Sequence, residues 1–286
     1  MKSKIVLAGL FLFGLLSPTF GQLTDTFSAT TSNWGTPTVT AVGPPANGSS
    51  GASLTQDNGN TRVDWAVALA GASNSSNLFM PLQSYGGTYD SDWSISFDIV
   101  NGFSAGTGQS VQIGLMAFNA TGYSSNSTAD YLKLVLVQAD ASYGGLAQDN
   151  VIHYGSHSNT AADPYSTTPS AGSSATLKLT YTAASNILAA YNNTTLLHSF
   201  GIGGSGGDTS QNWGMSGDDG FVIGLYAQAT TNSSGSGFTL PAGSAYADSF
   251  TSTGLTAVPE PSTYALLFGL AGLGLAVWRK KHSSKD

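Results

Sequence analysis

Between residues 22 and 257 the apolar side chains recur at every second position, and no window repeats them every 3.6 residues. A chain patterned this way can bury one face of a strand, but it cannot bury one face of a helix. Val63, Trp65, Val67 and Leu69 alternate with polar or small neighbours. Trp93, Ile95, Phe97 and Ile99 do the same, with Ser94, Ser96 and Asp98 on the other side. Val111, Ile113, Leu115 and Ala117 repeat the pattern, as do Leu177, Leu179 and Tyr181, and Phe221, Ile223, Leu225 and Ala227. Residues 131–138 are apolar on both sides and read as a central strand buried on both faces. Residues 187–191 and 196–200 form a hairpin around Asn192-Asn193-Thr194-Thr195. Clusters of Gly, Ser, Asn and Pro separate the runs, and 36 glycines supply the turns.

About a dozen short strands without helices predict one antiparallel β-sandwich or jelly roll over residues 22–256. Asp25-Thr26-Phe27 near the start is echoed by Asp248-Ser249-Phe250 near the end. The echo predicts that the first and last strands pair in one sheet. Trp65 and Trp93 fall on the inward alternation and are assigned to the core.

Charge divides the chain into a body and two ends. Fourteen of the sixteen acids lie between residues 22 and 257, and all fourteen are Asp. Only Arg62, Lys133 and Lys178 oppose them, which leaves the body at −11 while the whole chain stands at −7. A body of that charge repels phosphate backbones, which argues against nucleic acid as a partner. With no Cys, the chain has no disulfide, no thiolate nucleophile and no Cys-ligated metal.

Residues 1–21 read as a secretory signal peptide. Lys2 and Lys4 precede an apolar run over residues 5–16, Ser17 and Pro18 break it, and Thr19-Phe20-Gly21 puts small residues at the −3 and −1 positions of a cleavage after Gly21. Residues 257–286 form a second address. Pro259, Glu260 and Pro261 precede an apolar segment over 264–278, followed by Arg279, Lys280 and Lys281. The segment is short for a spanning helix, with interfacial Trp278 and Arg279 extending its reach, and the basic cluster places the C-terminus in the cytoplasm. This three-part tail resembles the PEP-CTERM sorting signal of bacterial exported proteins. The resemblance implies transient membrane anchoring through one short helix and recognition by an exosortase, a membrane protease that removes the tail. It also implies association with extracellular polysaccharide at the cell envelope, outer surface or matrix.

The body resembles the concanavalin A-like jelly roll of lectins and glucanases, in its laminin-G-like form, through residues 23–27, 93–100, 131–138, 175–200 and 221–250. The related glucanases carry Glu-x-Asp-x-Glu on one strand. Here the matching stretch is Ser96-Phe97-Asp98-Ile99-Val100, which keeps the central Asp and lacks both Glu residues. The body contains no Glu at all, so the resemblance does not carry over the paired carboxylates of glycoside hydrolysis. Gly203-Gly204-Ser205-Gly206-Gly207 fits G-x-S-x-G, but no helix follows it, so it reads as a glycine-rich loop. His153 and His157, four apart on a strand, lie about 13 Å apart, too far to share a metal.

Two kinds of binding remain open. Trp213, with Asn212 and Asp218, lies in the longest glycine-rich loop and could stack on and hydrogen-bond a sugar. Asp90, Asp92, Asp218 and Asp219 offer the hard oxygen donors of a structural calcium, and the sequence points to no other cofactor. The sequence thus predicts an exported, non-catalytic surface or matrix protein with a structural or glycan-associating body. The alternatives are a polysaccharide-active enzyme and a calcium-dependent protein adhesin.

Overall fold

The computed structural model describes residues 21–29, 33–39, 49–83, 85–123, 130–140, 150–157, 166–170 and 172–257. The signal peptide, the Pro259-Glu260-Pro261 motif, the apolar segment 264–278 and the Arg279–Lys281 cluster lie outside these residues, Gly21 excepted. No helix among the described residues is long and apolar enough to cross a membrane.

In chain order the strands are β1 (Gly21–Asp25), β2 (Thr38–Val39), β3 (Ser49–Asp57), β4 (Arg62–Leu69), β5 (Ser75–Pro81) and β6 (Tyr85–Thr88). There follow β7 (Trp93–Asn101), β8 (Gln109–Asn119), β9 (Tyr131–Ala139), β10 (Val151–His157), β11 (Ser166–Pro169) and β12 (Ser174–Thr182). The series ends with β13 (Ile187–Asn192), β14 (Thr195–Gly201), β15 (Thr209–Ser210), β16 (Gly220–Thr231) and β17 (Phe238–Ala257). Two short helical turns join them among the described residues, α1 (Ala120–Tyr123) and a 3-10 turn at Ala183–Ser185. The described strands number seventeen rather than a dozen, because β2, β6, β11 and β15 are too short to show an alternation.

The strands form two layers. Sheet I has the order β3-β4-β17-β7-β12-β13-β14-β15, and β1 continues the β4 side of β17. Sheet II has the order β2-β5-β16-β8-β9-β10-β11. All pairings are antiparallel except β14 with β15. Strand β6 pairs with the end of β17 and with the start of β16, which curls the two layers into one continuous sheet. The result is an all-β antiparallel sandwich with the curl of a jelly roll.

Alternation explains the core between the layers. Val63, Trp65, Ile95, Phe97, Ile99, Leu177 and Leu179 of sheet I meet Ile113, Leu115, Leu134, Leu136, Ile223 and Leu225 of sheet II. Each such side chain, removed from water, contributes about 1.5–3 kcal/mol. Strand β1 pairs with β17, with Asp25 opposite Phe250, as the echoed tripeptides predict. Both echoes carry a kink, with φ of 54° at Phe27 and at Ser249. Phe27, Trp34, Phe97 and Phe250 then pack ring to ring, with centroids 4.9 Å apart for Phe97 and Phe250 and 5.1 Å for Trp34 and Phe250. The indole of Trp34 donates to Asp25 Oδ2 at 3.0 Å, so this Asp holds the core ring in place. Asn101 crosses from sheet I and donates to the carbonyls of Val111 and Leu136, tying the layers at one end.

Candidate functional site

The two sheets differ on their outer faces. In sheet I, β7 and β12 alternate buried and more exposed positions, as a solvated face requires. In sheet II, every residue of β8 and β9 is buried, so the outer face is enclosed as well. That second face has its own apolar cluster of Phe79, Met116, Phe118, Tyr131, Val135, Val137 and Tyr226, on which Tyr123 of α1 packs.

Polar side chains are set among these rings. Asn77, Gln228 and Gln112 stand in one row across β5, β16 and β8. Gln112 and Gln228 are 2% and 3% exposed. Gln112 Oε1, Gln228 Nε2 and Ser110 Oγ have no hydrogen-bond partner in the protein. In the next row Tyr226 stands opposite Gly114, where a Cβ would collide with the Leu134 carbonyl oxygen. The Lys133 ammonium sits 5.7 Å from the centre of the Tyr226 ring, within range of cation–π attraction. His157 lies flat on Tyr131, centroids 5.2 Å apart and planes 6° apart. Burial, followed by the charge of Lys133, pushes His153 down to about 3, so its imidazole is neutral at physiological pH.

This face holds Lys133, assigned from sequence to a strand apolar on both sides. The inward residues are apolar, but Tyr131 and Lys133 point outward. The sequence signal for the face was weak: polar residues alternating with hydrocarbon on β8, β10 and β16. Only the register brings them into rows.

The loop candidates resolve differently. Trp213 is 3% exposed and belongs to the core, against Phe221. Its indole donates to Gln211 Oε1 at 3.2 Å, and its backbone N–H to the Ile202 carbonyl. The ring has no free face for a sugar, which corrects the expectation from sequence. The loop turns inward because Trp213 is its largest apolar side chain. Asn212 and Asp218 are exposed on the same loop, and Asn212 Oδ1 accepts the Gly214 N–H.

The proposed calcium ligands serve as loop braces. Asp92 Oδ1 accepts the Ala183 N–H at 2.8 Å. Asp219 accepts the Ser216 N–H on one oxygen and the Thr121 hydroxyl on the other, and these bonds, the Ser216 one foremost, hold its carboxyl below the usual range. Asp90 lies beside Gly217, and Asp218 is exposed. Among the described residues no three His, Asp or Glu side chains converge on a point. The Gly203–Gly207 stretch is a tight turn, with Gly204, Gly206 and Gly207 at φ of 85°, 85° and 70°.

On sheet I, Asp98 borders a shallow groove of about 570 Å³ lined also by Ser170, Thr176, Asn192 and Asn193. Asp98 Oδ1 accepts the Thr176 hydroxyl at 2.6 Å. Asp248 stands directly opposite Asp98, and Arg62 opposite Asp248. Ser96 Oγ is bonded to Thr251 Oγ1 at 2.7 Å. Arg62 pairs with Asp64 at 2.8 Å and lies 4.5 Å over the Tyr246 ring.

Residues 257–281, just past the described sandwich, match the family model described as the PEP-CTERM protein-sorting motif. The chain carries a PEP-CTERM sorting motif. The motif implies export, membrane anchoring before processing, and processing by an exosortase. It covers the tail alone. No curated protein matches the sequence.

Several solved structures are similar to the body. The carbohydrate recognition domain of Emp46p in its potassium-bound form has 14% identity, with 84% of this chain and 100% of that chain covered and a TM-score of 0.44. The endo-1,3-beta-glucanase of Streptomyces sioyaensis has 10% identity, 83% and 98% coverage, and a TM-score of 0.47. The glycoside hydrolase family 16 endo-glucanase of Bacteroides ovatus has 13% identity, 80% and 99% coverage, and a TM-score of 0.48. These scores lie below 0.5. The sandwich therefore rests on the strand pairing above, and the role of the body on its own residues.

Proposed function

We propose that this is an exported, non-catalytic surface or extracellular-matrix protein, directed out by residues 1–21 and sorted through the PEP-CTERM tail. Its body associates with glycan over the outer face of sheet II. One observation carries the glycan reading: the enclosed face keeps Gln112 Oε1, Gln228 Nε2 and Ser110 Oγ without protein partners. Each buried polar group left unpaired costs about 1–3 kcal/mol. Stability alone therefore argues against keeping them, and a ligand rich in hydroxyl groups would satisfy them. Binding exchanges present packing, such as that of Tyr123, for ligand contacts.

Thermal unfolding of the full chain in detergent, with a panel of soluble polysaccharides, tests this reading. Binding to the folded state raises the melting temperature by mass action. A rise with at least one glycan, lost in the Gln112→Leu/Gln228→Leu variant, is expected. No rise with any glycan would sink it. The sorting half is tested by the mass of the surface or released protein, where an intact Lys285-Asp286 terminus is the contrary result.

A second reading is favoured by Asp98 and Asp248, two like charges opposed beside a polar groove. Such a pair could serve a polysaccharide hydrolase. Turnover of a polysaccharide by the full chain, abolished by Asp98→Asn, would establish it over the first reading.

A further inference from the structure

We infer, resting on the exosortase half of the reading above, that the last two residues of β17 form a releasable clasp, which comes off β6 before the processing enzyme takes up the sorting motif. The match to that motif opens at residue 257, and Ala257 is also the last residue of β17. Pro259 lies two residues further on, about 7 Å of extended chain. A protease holds its substrate as an extended segment of several residues. A motif set this close to a paired strand brings the sandwich against the enzyme before the segment can fill a cleft.

The end of β17 is held less firmly than its middle. At Ser252 the strand is paired on both sides, with Leu23 of β1 and Ile95 of β7. The ladder with β7 stops at Thr253. Gly254 follows at φ of 71°, so close to the Asp92 carbonyl that a Cβ would collide with it. Leu255 pairs with Gly21, and the cleavage after Gly21 expected from sequence would remove that partner. Among the described strands Thr256 and Ala257 pair with β6 alone, at Gly86 and Tyr85. Strand β6 has four residues, two of them glycine, and its other half is paired with β16. Glycine weakens a strand, because it gives up the most backbone freedom and offers no side chain to pack.

Thr256 favours opening at this point. Its hydroxyl oxygen is buried without a hydrogen-bond partner. Opening hydrates that oxygen, which offsets part of the lost pairing. Leu255 sets the limit. It is 1% exposed and packs in the core, so opening past Thr256 would carry an apolar side chain into water. Release of Thr256 and Ala257 alone leaves four residue steps between Leu255 and Pro259, about 13 Å of extended chain, with the core undisturbed. Local opening of this kind is set by the few contacts at a strand end and not by the stability of the whole body.

The test follows tail loss from the full chain, by pulse-chase and intact mass, in cells that carry the processing enzyme. Inserting Gly-Ser-Gly-Ser between Ala257 and Val258 supplies the reach without opening. Tail loss should then quicken about tenfold, the factor that corresponds to about 1.4 kcal/mol of opening. Thr256→Val removes the unpaired hydroxyl and should slow tail loss severalfold at the native spacing, with no effect once the insertion is present. An insertion that leaves the rate unchanged, or lowers it, would overturn the clasp and leave exosortase processing standing. A wild-type chain that never loses its tail would overturn both. If Thr256→Val does not fold, the insertion alone decides.

Discussion

Gln112 and Gln228 face each other directly across β8 and β16, both nearly excluded from water, and each keeps one amide atom without a protein partner. Cross-strand neighbours stand about 4.5–5.5 Å apart at Cβ, so two amides this close could easily have bonded. Replacing both by hydrocarbon should therefore cost nothing. The double variant Gln112→Leu/Gln228→Leu is expected to gain about 1–2 kcal/mol of stability in urea unfolding. It should lose glycan binding in the same preparation. Loss of stability instead would mean that these amides hold the fold.

Trp213 gives the opposite expectation. Its indole fills the core beside Phe221. Trp213→Ala should cost about 3–5 kcal/mol, as other large core truncations do. Trp213→Phe should recover most of that loss. Urea unfolding checks both, and a Trp213→Ala variant of unchanged stability would return this residue to the surface.

His153 makes stability depend on pH. Its folded value is pushed down to about 3 by burial and by Lys133, while in the unfolded chain it titrates near 6.5. Below 6.5 the unfolded chain takes up a proton that the folded one refuses. The contribution is therefore complete above pH 6.5 and is lost as pH falls toward 3. From pH 7 to pH 5 the loss is about 2 kcal/mol from this one group. His153→Gln should flatten that part of the stability profile, measured by urea unfolding across the range. An unchanged slope would show that this imidazole takes up its proton in the folded state.

The Asp98 and Asp248 pair should act through repulsion. Like charges directly opposite on a sheet destabilise by about 0.2–1 kcal/mol. Asp98→Asn removes the repulsion and keeps an acceptor for the Thr176 hydroxyl, so a small gain in stability is expected. Glycan binding on sheet II should be unaffected. Chemical denaturation and the polysaccharide panel together check this, and a loss of binding would move the site to sheet I.

Much of the fold could be read from residue patterns. The alternations of β4, β7, β12 and β16 stand where the apolar periods place them, because a two-residue period leaves one choice of face. The pairing of β1 with β17 was readable from the Asp25 and Asp248 echoes. The site was not. Rows such as Asn77, Gln228 and Gln112 exist only once β5, β16 and β8 are in register, and their order in the sheet is remote from their order in the chain. Lys133 was hidden inside an apolar run, and His153 was weighed only with His157 as a metal pair, which says nothing of the face they share. Trp213 misled for a related reason: a glycine-rich loop says that the chain turns, but not which way its one large ring points.

The pairing of β1 with β17 has a mechanical consequence. Gly21 stands opposite Leu255, so both ends of the sandwich leave from one pole, and the two address segments attach there together. Strand β17 lies between β4 and β1 on one side and β7 on the other. A pull entering at residue 258 therefore runs along a central strand, and its ladder bonds share the load in shear rather than opening one after another. A body built this way resists a load applied at its C-terminal end.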